Sequence, residues 1–244
     1  MRTNSDFSNL GVLDDPSELT QEIGVGWRIS CYRGAGEASI TRRSGDPQAA
    51  ERQTQPDTGA ARAMRNKRRY ALHNRLDRFV TLTYRKAEHS RSVVLRHLKR
   101  VFERVRRAIG KPVAWLRVIG LHSQGNGLHV HMMAGQGVAE LVDDVWGYGH
   151  VDVGVLQRSE DIRKTAQYLG HEFDAVPTGR HRYEVAQGFT PEREVVTFAS
   201  RASAQEWLRS VFGREPLVVW PLGCDGQFGE VCWWESLDCE EDRG

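Results

Sequence analysis

The chain has 244 residues, of which 39% are hydrophobic and 27% are charged. These proportions supply enough apolar side chains for a core, and no apolar run is long enough to predict a membrane span. The N-terminal sequence MRTNSDFSNLGVLDD lacks the apolar stretch of a signal peptide, so we expect a cytoplasmic protein with no membrane partner. The four cysteines form no CxxC pair, and we expect them to be reduced thiols.

The net charge of +2 is the sum of two very different regions. Between Ala61 and Arg107 there are sixteen Lys and Arg residues and three acidic residues, so this segment carries +13 and the rest carries −11. The last twenty residues contain seven acids and one arginine. A basic segment of this strength indicates a polyanionic partner such as nucleic acid, although a solvated charged face is the alternative.

Local composition divides the chain into three regions. Residues 1–60 are rich in Gly, Ser, Asp, Arg and Gln, and we expect them to be variable and partly disordered, with a short strand at GWRISCY. Residues 61–200 have clear periodicity and are predicted to form the functional domain, beginning with a basic helix. Residues 201–244 are predicted to form a helix, SAQEWLRSVF, followed by an acidic tail that contains tryptophan.

The central region alternates between strand and helix patterns. In chain order the predicted elements are the helix ARAMRNKRRYALHNRL, the strand RFVTLTY, the helix SRSVVLRHLKRVFERVRRAIG, the strands PVAWLRVIGLH and LHVHMMAG joined by a hairpin at SQGNG, the helix VAELVDDVW, the strand HVDVGVL, the helix SEDIRKTAQYLGHEF, and the strands HRYEVAQGF and EREVVTFAS. No parallel β-α-β unit repeats in this order. We therefore predict an α+β fold with helices on an antiparallel sheet.

The stretch GLHVHMM contains two histidines at alternate positions of a predicted strand. His129 and His131 should point to the same face, about 7 Å apart at Cα, where both can bind one ion. Such a pair also occurs by chance, and a metal site needs a further ligand. The nearest candidate is His122, across the hairpin. Weaker candidates are Gln124, Glu140, Asp143, Asp144 and Asp152.

The helix DIRKTAQYLGHEF carries an apolar stripe and a chemically active stripe. The second stripe consists of Lys164, Tyr168 and His171, at helical spacing i, i+4 and i+7. A tyrosine is a candidate nucleophile when a cation offsets its pKa of about 10. An ordinary polar helix face is the alternative. Since the two stripes lie roughly opposite each other, Tyr168 can approach the histidines only if the helix borders an open groove.

Three stretches, FVTLTY, GLHVHMM and AQYLGHEF, resemble in this order the motifs of HUH endonucleases, and more narrowly the rolling-circle replication initiators of bacterial plasmids and phages. The resemblance covers about residues 75–195. It implies a ferredoxin-like (RRM-like) antiparallel sheet with helices on one side and the two histidines on a central strand. It also implies that the histidines bind Mg²⁺ or Mn²⁺, and that Tyr168 attacks single-stranded DNA at a replication origin, leaving a 5′-phosphotyrosine.

The sequence departs from this family at three positions. Gly120 stands where a glutamate ligand is common, so His122 is the expected third ligand beside His129 and His131. His171 replaces the usual lysine three residues after Tyr168, and Lys164 is expected to supply the cation instead. Glu172 stands where some members have a second tyrosine, which implies a single-tyrosine mechanism.

The expected partners follow from the same resemblance. No GxxxxGK[ST] loop is present in the sequence, so we expect a host helicase to unwind the DNA and a host polymerase to extend it. The expected phosphate contacts are Arg85, Lys86, Lys99, Arg100 and Arg163. The alternatives are an HUH relaxase or transposase for mobilisation, and a non-catalytic RRM-like binder of single-stranded nucleic acid. Such a binder needs exposed aromatic residues on its central strands, where this chain has histidines. The oligomeric state is left open.

Overall fold

The computed structural model describes residues 26–43, 59–121, 127–169, 183–221 and 229–235. The strands in these ranges are β1 (Gly26–Tyr32), β2 (Glu37–Arg43), β3 (Arg78–Tyr84), β4 (Trp115–Leu121), β5 (Leu128–Ala134), β6 (Gly149–Val155), β7 (Glu184–Val185), β8 (Glu194–Phe198), β9 (Val218–Pro221) and β10 (Gly229–Trp233). The α-helices are α1 (Gly59–His73), α2 (Arg91–Ile109), α3 (Gln136–Val145), α4 (Ser159–Tyr168) and α5 (Arg201–Phe212). None of these helices combines the length and apolar character that crossing a membrane requires.

The first of two antiparallel sheets, here called the histidine sheet, has the strand order β6-β3-β5-β4-β7. The histidine strand β5 is its central strand, as predicted. β4 and β5 pair as the expected hairpin, in a register that sets Gly120 opposite His129 and Val118 opposite His131. The α+β prediction with an antiparallel sheet is therefore confirmed.

Helices cover both faces of the histidine sheet. On one face, the even-numbered residues Val130 and Met132 of β5 belong to a buried cluster with the apolar sides of α2 and α3. On the other face, Met133 belongs to a second cluster with residues of α1 and α4, including Tyr70 and Ile162. The arrangement with helices on one side, which the resemblance implied, describes α2 and α3; α1 and α4 lie on the other side.

A second antiparallel sheet, here called the terminal sheet, has the order β8-β1-β2-β10-β9 and so combines segments from both ends of the chain. The predicted strand GWRISCY is confirmed as β1. The prediction that the following residues are mostly loop was wrong for Glu37–Arg43, which form β2. This strand is stable because Ala38 and Ile40 are fully buried and because β10, almost two hundred residues later, pairs along one edge.

A buried carboxylate joins the terminal sheet to α1. The side chain of Glu37 is fully buried and accepts hydrogen bonds from Arg68 Nε (2.9 Å) and Arg69 Nε (2.7 Å). The guanidinium of Arg69 also lies 3.9 Å from the centre of the Tyr32 ring. Two arginines are needed because a single buried carboxylate without partners carries a large desolvation cost. This cluster fixes how α1 sits on the terminal sheet.

We predict that Glu37→Gln lowers the free energy of unfolding by about 3 kcal/mol, because it leaves two partly buried guanidinium groups without their carboxylate. Urea unfolding followed by circular dichroism measures this change. The matched control is Glu194→Gln, which breaks the exposed ion pair with Arg33 (2.8 Å) and should cost less than about 1 kcal/mol. Equal effects of the two substitutions would contradict the role given to the buried cluster.

Candidate active site

The two histidines of β5 lie side by side on the face that α1 and α4 cover. Their ring centroids are 4.4 Å apart and the rings are inclined at 67°. His129 is 7% exposed, whereas His131 is half-buried. The prediction that both side chains share one face of a central strand is therefore confirmed, and the imidazoles are close enough for one ion to contact both.

Contacts from β3 fix the orientation of His131. The Thr81 hydroxyl lies 3.2 Å from His131 Nδ1, and the Phe79 ring stacks on the imidazole with a centroid distance of 5.3 Å. Burial, reinforced by the neighbouring His129, lowers the pKa of His131 to about 4. The ring is therefore neutral at pH 7, which is the state that binds metal ions. Histidine ligands commonly engage one ring nitrogen in an outer contact of this kind.

The strand register shows which further ligands are available. Gly120 lies directly opposite His129 and offers no side chain. Asp152 lies in the same row as Thr81 and His131, but it is exposed and two strands from β5. Glu140, Asp143 and Asp144 belong to α3, whose buried residues pack on the opposite face of the sheet. Their position excludes these three as ligands beside the histidines.

The residues in hand fit a metal ion in part. Two neutral, adjacent imidazoles supply two nitrogen ligands of the type that Mn²⁺ and Zn²⁺ accept. Within the described ranges, no group of three or more His, Cys, Asp or Glu side chains could hold an ion. His122 and Gln124, the candidates from the hairpin, lie outside those ranges.

The glycine that precedes the histidine strand is required by its backbone. Gly127 has a φ of +85°, and a Cβ atom built on it would lie 2.6 Å from the carbonyl oxygen of Glu88. The next residue, Leu128, donates its backbone N–H to that same oxygen at 2.6 Å. The segment between β3 and α2 is thus docked on the start of β5, where a side chain at position 127 has no room.

The helix α4 packs on the histidine-bearing face and leaves its tyrosine accessible. Ile162, Ala166 and Leu169 are fully buried in the cluster that contains Met133 of β5. Tyr168, the last residue of the helix, is 54% exposed. The apolar stripe of α4 therefore faces the layer that holds the histidines, while the phenol remains open to solvent.

The expected cation of this helix has a local partner. Lys164 Nζ lies 2.7 Å from a carboxylate oxygen of Glu160, one helical turn earlier. The hydrogen bond and charge of Lys164 lower the pKa of Glu160 below its usual range. Lys164 is 64% exposed, so this pair lies on the solvent side of the helix. His171, the other expected assistant of Tyr168, lies outside the described ranges.

The expected phosphate contacts lie in three different places. Arg85 and Lys86 are exposed directly after β3. Lys99 and Arg100 are exposed on α2, which covers the face opposite the histidines. Arg163 is 13% exposed, and its guanidinium lies 5.5 Å and 5.7 Å from the ring centres of Trp220 and Trp233 in the terminal sheet.

A buried lysine was missed by sequence reasoning. Lys67 in α1 is fully buried, and desolvation lowers its pKa to about 7. In the sequence it is one of many basic residues of a predicted basic helix. The available signal was its spacing: Met64, Tyr70 and Ala71 are one turn away on the same side and belong to the buried cluster around Met133.

We predict that Gly127→Ala lowers the melting temperature by several degrees, because a Cβ atom at this position collides with backbone atoms of Glu88 and the residue has a positive φ. Differential scanning calorimetry measures the change. Gly137→Ala in α3 is the matched control: a Cβ there meets nothing within 4 Å, and alanine favours a helix. If both variants melt at the wild-type temperature, the close docking at Gly127 is contradicted.

We predict that the stability of the wild type, relative to Lys67→Met, rises with pH. The pKa of Lys67 is about 7 in the folded state and about 10.4 in the unfolded chain, so between these values the unfolded state binds the extra proton. The difference should change by about 1 kcal/mol per pH unit between pH 7.5 and 10. Urea unfolding at several pH values measures it. Lys99→Met, at an exposed position, should show no such trend, and a parallel trend in both variants would refute the burial.

Residues 77–173 of the chain match the protein family described as replication-associated protein ORF2. No curated protein and no solved structure matches the chain. The matched segment begins just before β3 and includes His129, His131 and Tyr168. The similarity of this segment supports a role in replication initiation, with DNA as the partner.

Proposed function

We propose that the protein nicks and joins single-stranded DNA through a 5′-phosphotyrosine, and so initiates rolling-circle replication of a plasmid or phage. One observation carries the proposal: a pair of adjacent histidines lies on the sheet face against which the tyrosine helix packs. The match of this segment to a family of replication-associated proteins supports the same function. In this role Tyr168 is the nucleophile, and His129 and His131 bind the ion.

The path of α4 supports an approach of Tyr168 to the histidines. The chain leaves the histidine sheet where Leu156 bonds to Asp77, at the end of the sheet away from His129. From there α4 carries its buried side across the histidine-bearing face. Its ten residues extend about 15 Å. The strand segment from Ala134 back to His129 is about 17 Å long, so the last residue of α4 comes level with the histidines.

The proposed metal site uses His129, His131 and, as third ligand, His122. A bound Mg²⁺ or Mn²⁺ would polarise the scissile phosphate and stabilise the negative charge that develops on it. The neutral state of His131 at pH 7 and its orienting contact with Thr81 suit this role. A third ligand on the hairpin would compensate for the missing side chain at Gly120.

The proposed reaction is a transesterification that conserves the phosphodiester energy. The phenolate oxygen of Tyr168 forms a bond to phosphorus while the bond to the 3′ oxygen breaks, and that oxygen takes up a proton. The products are a 5′-phosphotyrosine and a free 3′-hydroxyl, which a host polymerase can extend. The reverse transfer from a 3′-hydroxyl rejoins the strand and releases the tyrosine, so the chemistry needs no nucleotide cofactor.

The proposed DNA contacts divide into near and remote groups. Arg85 and Lys86 follow β3, next to the start of the histidine strand, and suit contact with phosphates beside the scissile bond. Lys99 and Arg100 on α2 would contact flanking DNA across the opposite face. Such contacts give a strong dependence on salt and little sequence choice. A cytoplasmic location and a host helicase as partner belong to the same proposal.

We predict that Tyr168→Phe forms no covalent adduct with DNA, because phenylalanine lacks the attacking oxygen. The assay incubates the protein with Mn²⁺ and a randomised pool of labelled single-stranded DNA, and then separates the adducts on a denaturing gel. Sequencing of the trapped DNA also identifies the cleavage site. His129→Ala and His131→Ala should reduce adduct formation by at least about 100-fold through the loss of the ion.

Tyr148→Phe is the matched control for the loss of a hydroxyl group. Tyr148 stacks on His97 of α2, away from the histidine face, so its variant should form the adduct at the wild-type rate. An adduct that survives Tyr168→Phe would move the nucleophile elsewhere. Tight binding of the DNA by the wild type with no adduct from any pool would favour the non-catalytic binder instead.

A further inference from the structure

The helix α1 runs antiparallel to β4 along the edge of the histidine sheet. The Tyr70 hydroxyl donates to the carbonyl of Ala186 at 3.1 Å, and the N–H of Ala186 donates to the carbonyl of Trp115 at 3.1 Å. Earlier in the helix, the Asn66 side chain hydrogen-bonds the hydroxyl of Tyr183. The contacts therefore move from position 186 to position 183 as the helix is followed back from Tyr70.

The strand register converts this path into a position beside the histidines. β7 pairs with β4 by setting Val185 opposite Leu116, followed by Glu184 opposite Arg117. One residue further in this register, Tyr183 is level with Val118, and Val118 is the partner of His131. Lys67 follows Asn66 directly, so it is level with His131 and about one strand spacing, roughly 4.8 Å, to the side.

The side chain of Lys67 enters the layer between α1 and the histidine sheet. Met64, Tyr70 and Ala71, its neighbours on the helix surface, pack in one cluster with Val118 of β4. Lys67 is at the centre of this stripe and is fully buried. Its four-carbon stem is long enough to carry the ammonium group from the helix towards the sheet.

We infer that Lys67 is the active-site cation of the proposed reaction, and that its ammonium group contacts a non-bridging oxygen of the scissile phosphate beside the ion held by His129 and His131. This inference rests on the proposed function. A phosphate oxygen suits a buried ammonium, because the attraction between opposite charges is stronger where water is excluded. Lys164 suits the role less well, because it is exposed and paired with Glu160.

The lowered pKa of Lys67 is consistent with this location, since it reports an environment with little water. The negative charge of a bound phosphate would favour the protonated form of the lysine and raise this pKa. Substrate binding would therefore charge the lysine more fully at pH 7. Arg68 and Arg69, the next two residues, are ion-paired with Glu37 and are directed away from this layer.

The test compares Lys67→Met with Lys99→Met, an exposed lysine on the opposite face of the histidine sheet. The first measurement is calorimetric titration of the full-length protein with Mn²⁺ alone. Removing a positive charge beside the histidines should tighten Mn²⁺ binding at least about threefold for Lys67→Met and leave Lys99→Met unchanged. This readout does not depend on any reaction with DNA.

The second measurement is the single-turnover rate of covalent adduct formation on a saturating single-stranded oligonucleotide. Lys67→Met should lower the rate at least about 100-fold, with the dissociation constant for DNA changed less than about threefold. Circular dichroism checks that the variant is folded, and Lys67→Gln is measured in parallel as a second variant that also lacks the charge.

The outcomes separate this inference from the proposed function. If the wild type and Lys67→Met form the adduct at the same rate, the inference is overturned and the proposed function stands. Unchanged Mn²⁺ affinity in both Lys67 variants also overturns it, since the lysine is then remote from the histidines. If no protein forms an adduct, the proposed function fails, and tighter Mn²⁺ binding by Lys67→Met would still support the position of the lysine beside the pair.

Discussion

The alternation of side chains along β5 is the constraint on which the candidate site depends. Val130 and Met132 are buried under α2 and α3, while Met133 is buried under α1 and α4. Apolar contacts on both faces therefore fix the register, and a slip of one residue would carry His129 and His131 into the wrong layer. The docking of the residue before β5 on the segment before α2 determines where the strand begins.

The layer above the histidines is held from its outer side by the terminal sheet. Glu37 holds α1 through two arginines, and Arg163 of α4 lies beside Trp220 and Trp233. Both helices of the candidate site are thus positioned by strands from the two ends of the chain. The segment that matches the replication-associated family contains α4 but neither α1 nor the terminal sheet. The surroundings of the histidines therefore depend on parts of the chain outside the matched segment.

Local patterns were sufficient for the histidine sheet and its helices. The alternation in β3 and β5 and the apolar stripe of α2 each repeat over a whole element, so the sequence predicts them directly. The terminal sheet could not be predicted in this way, because β2 gains its stability from β10, whose position is not encoded locally. The two histidines and the tyrosine helix were found by spacing. Thr81 and Lys67 were missed, since their relation to His131 depends on strand pairing and helix packing.

The charge pattern of the sequence changes its meaning once the fold is known. The basic segment between Ala61 and Arg107 looks like one phosphate-binding surface in the sequence, yet Lys67 and Arg69 are buried within it. Three consecutive residues, from Lys67 to Arg69, are divided by the helix geometry between two faces of α1. The arginines meet Glu37, whereas the lysine lies in an apolar layer, at a cost in stability that proteins accept mainly at functional sites. The electrostatic attraction for DNA must therefore come chiefly from α2 and from the two basic residues that follow β3. The charge at position 67 is separated from that surface, which is why a substitution there should affect chemistry more than binding.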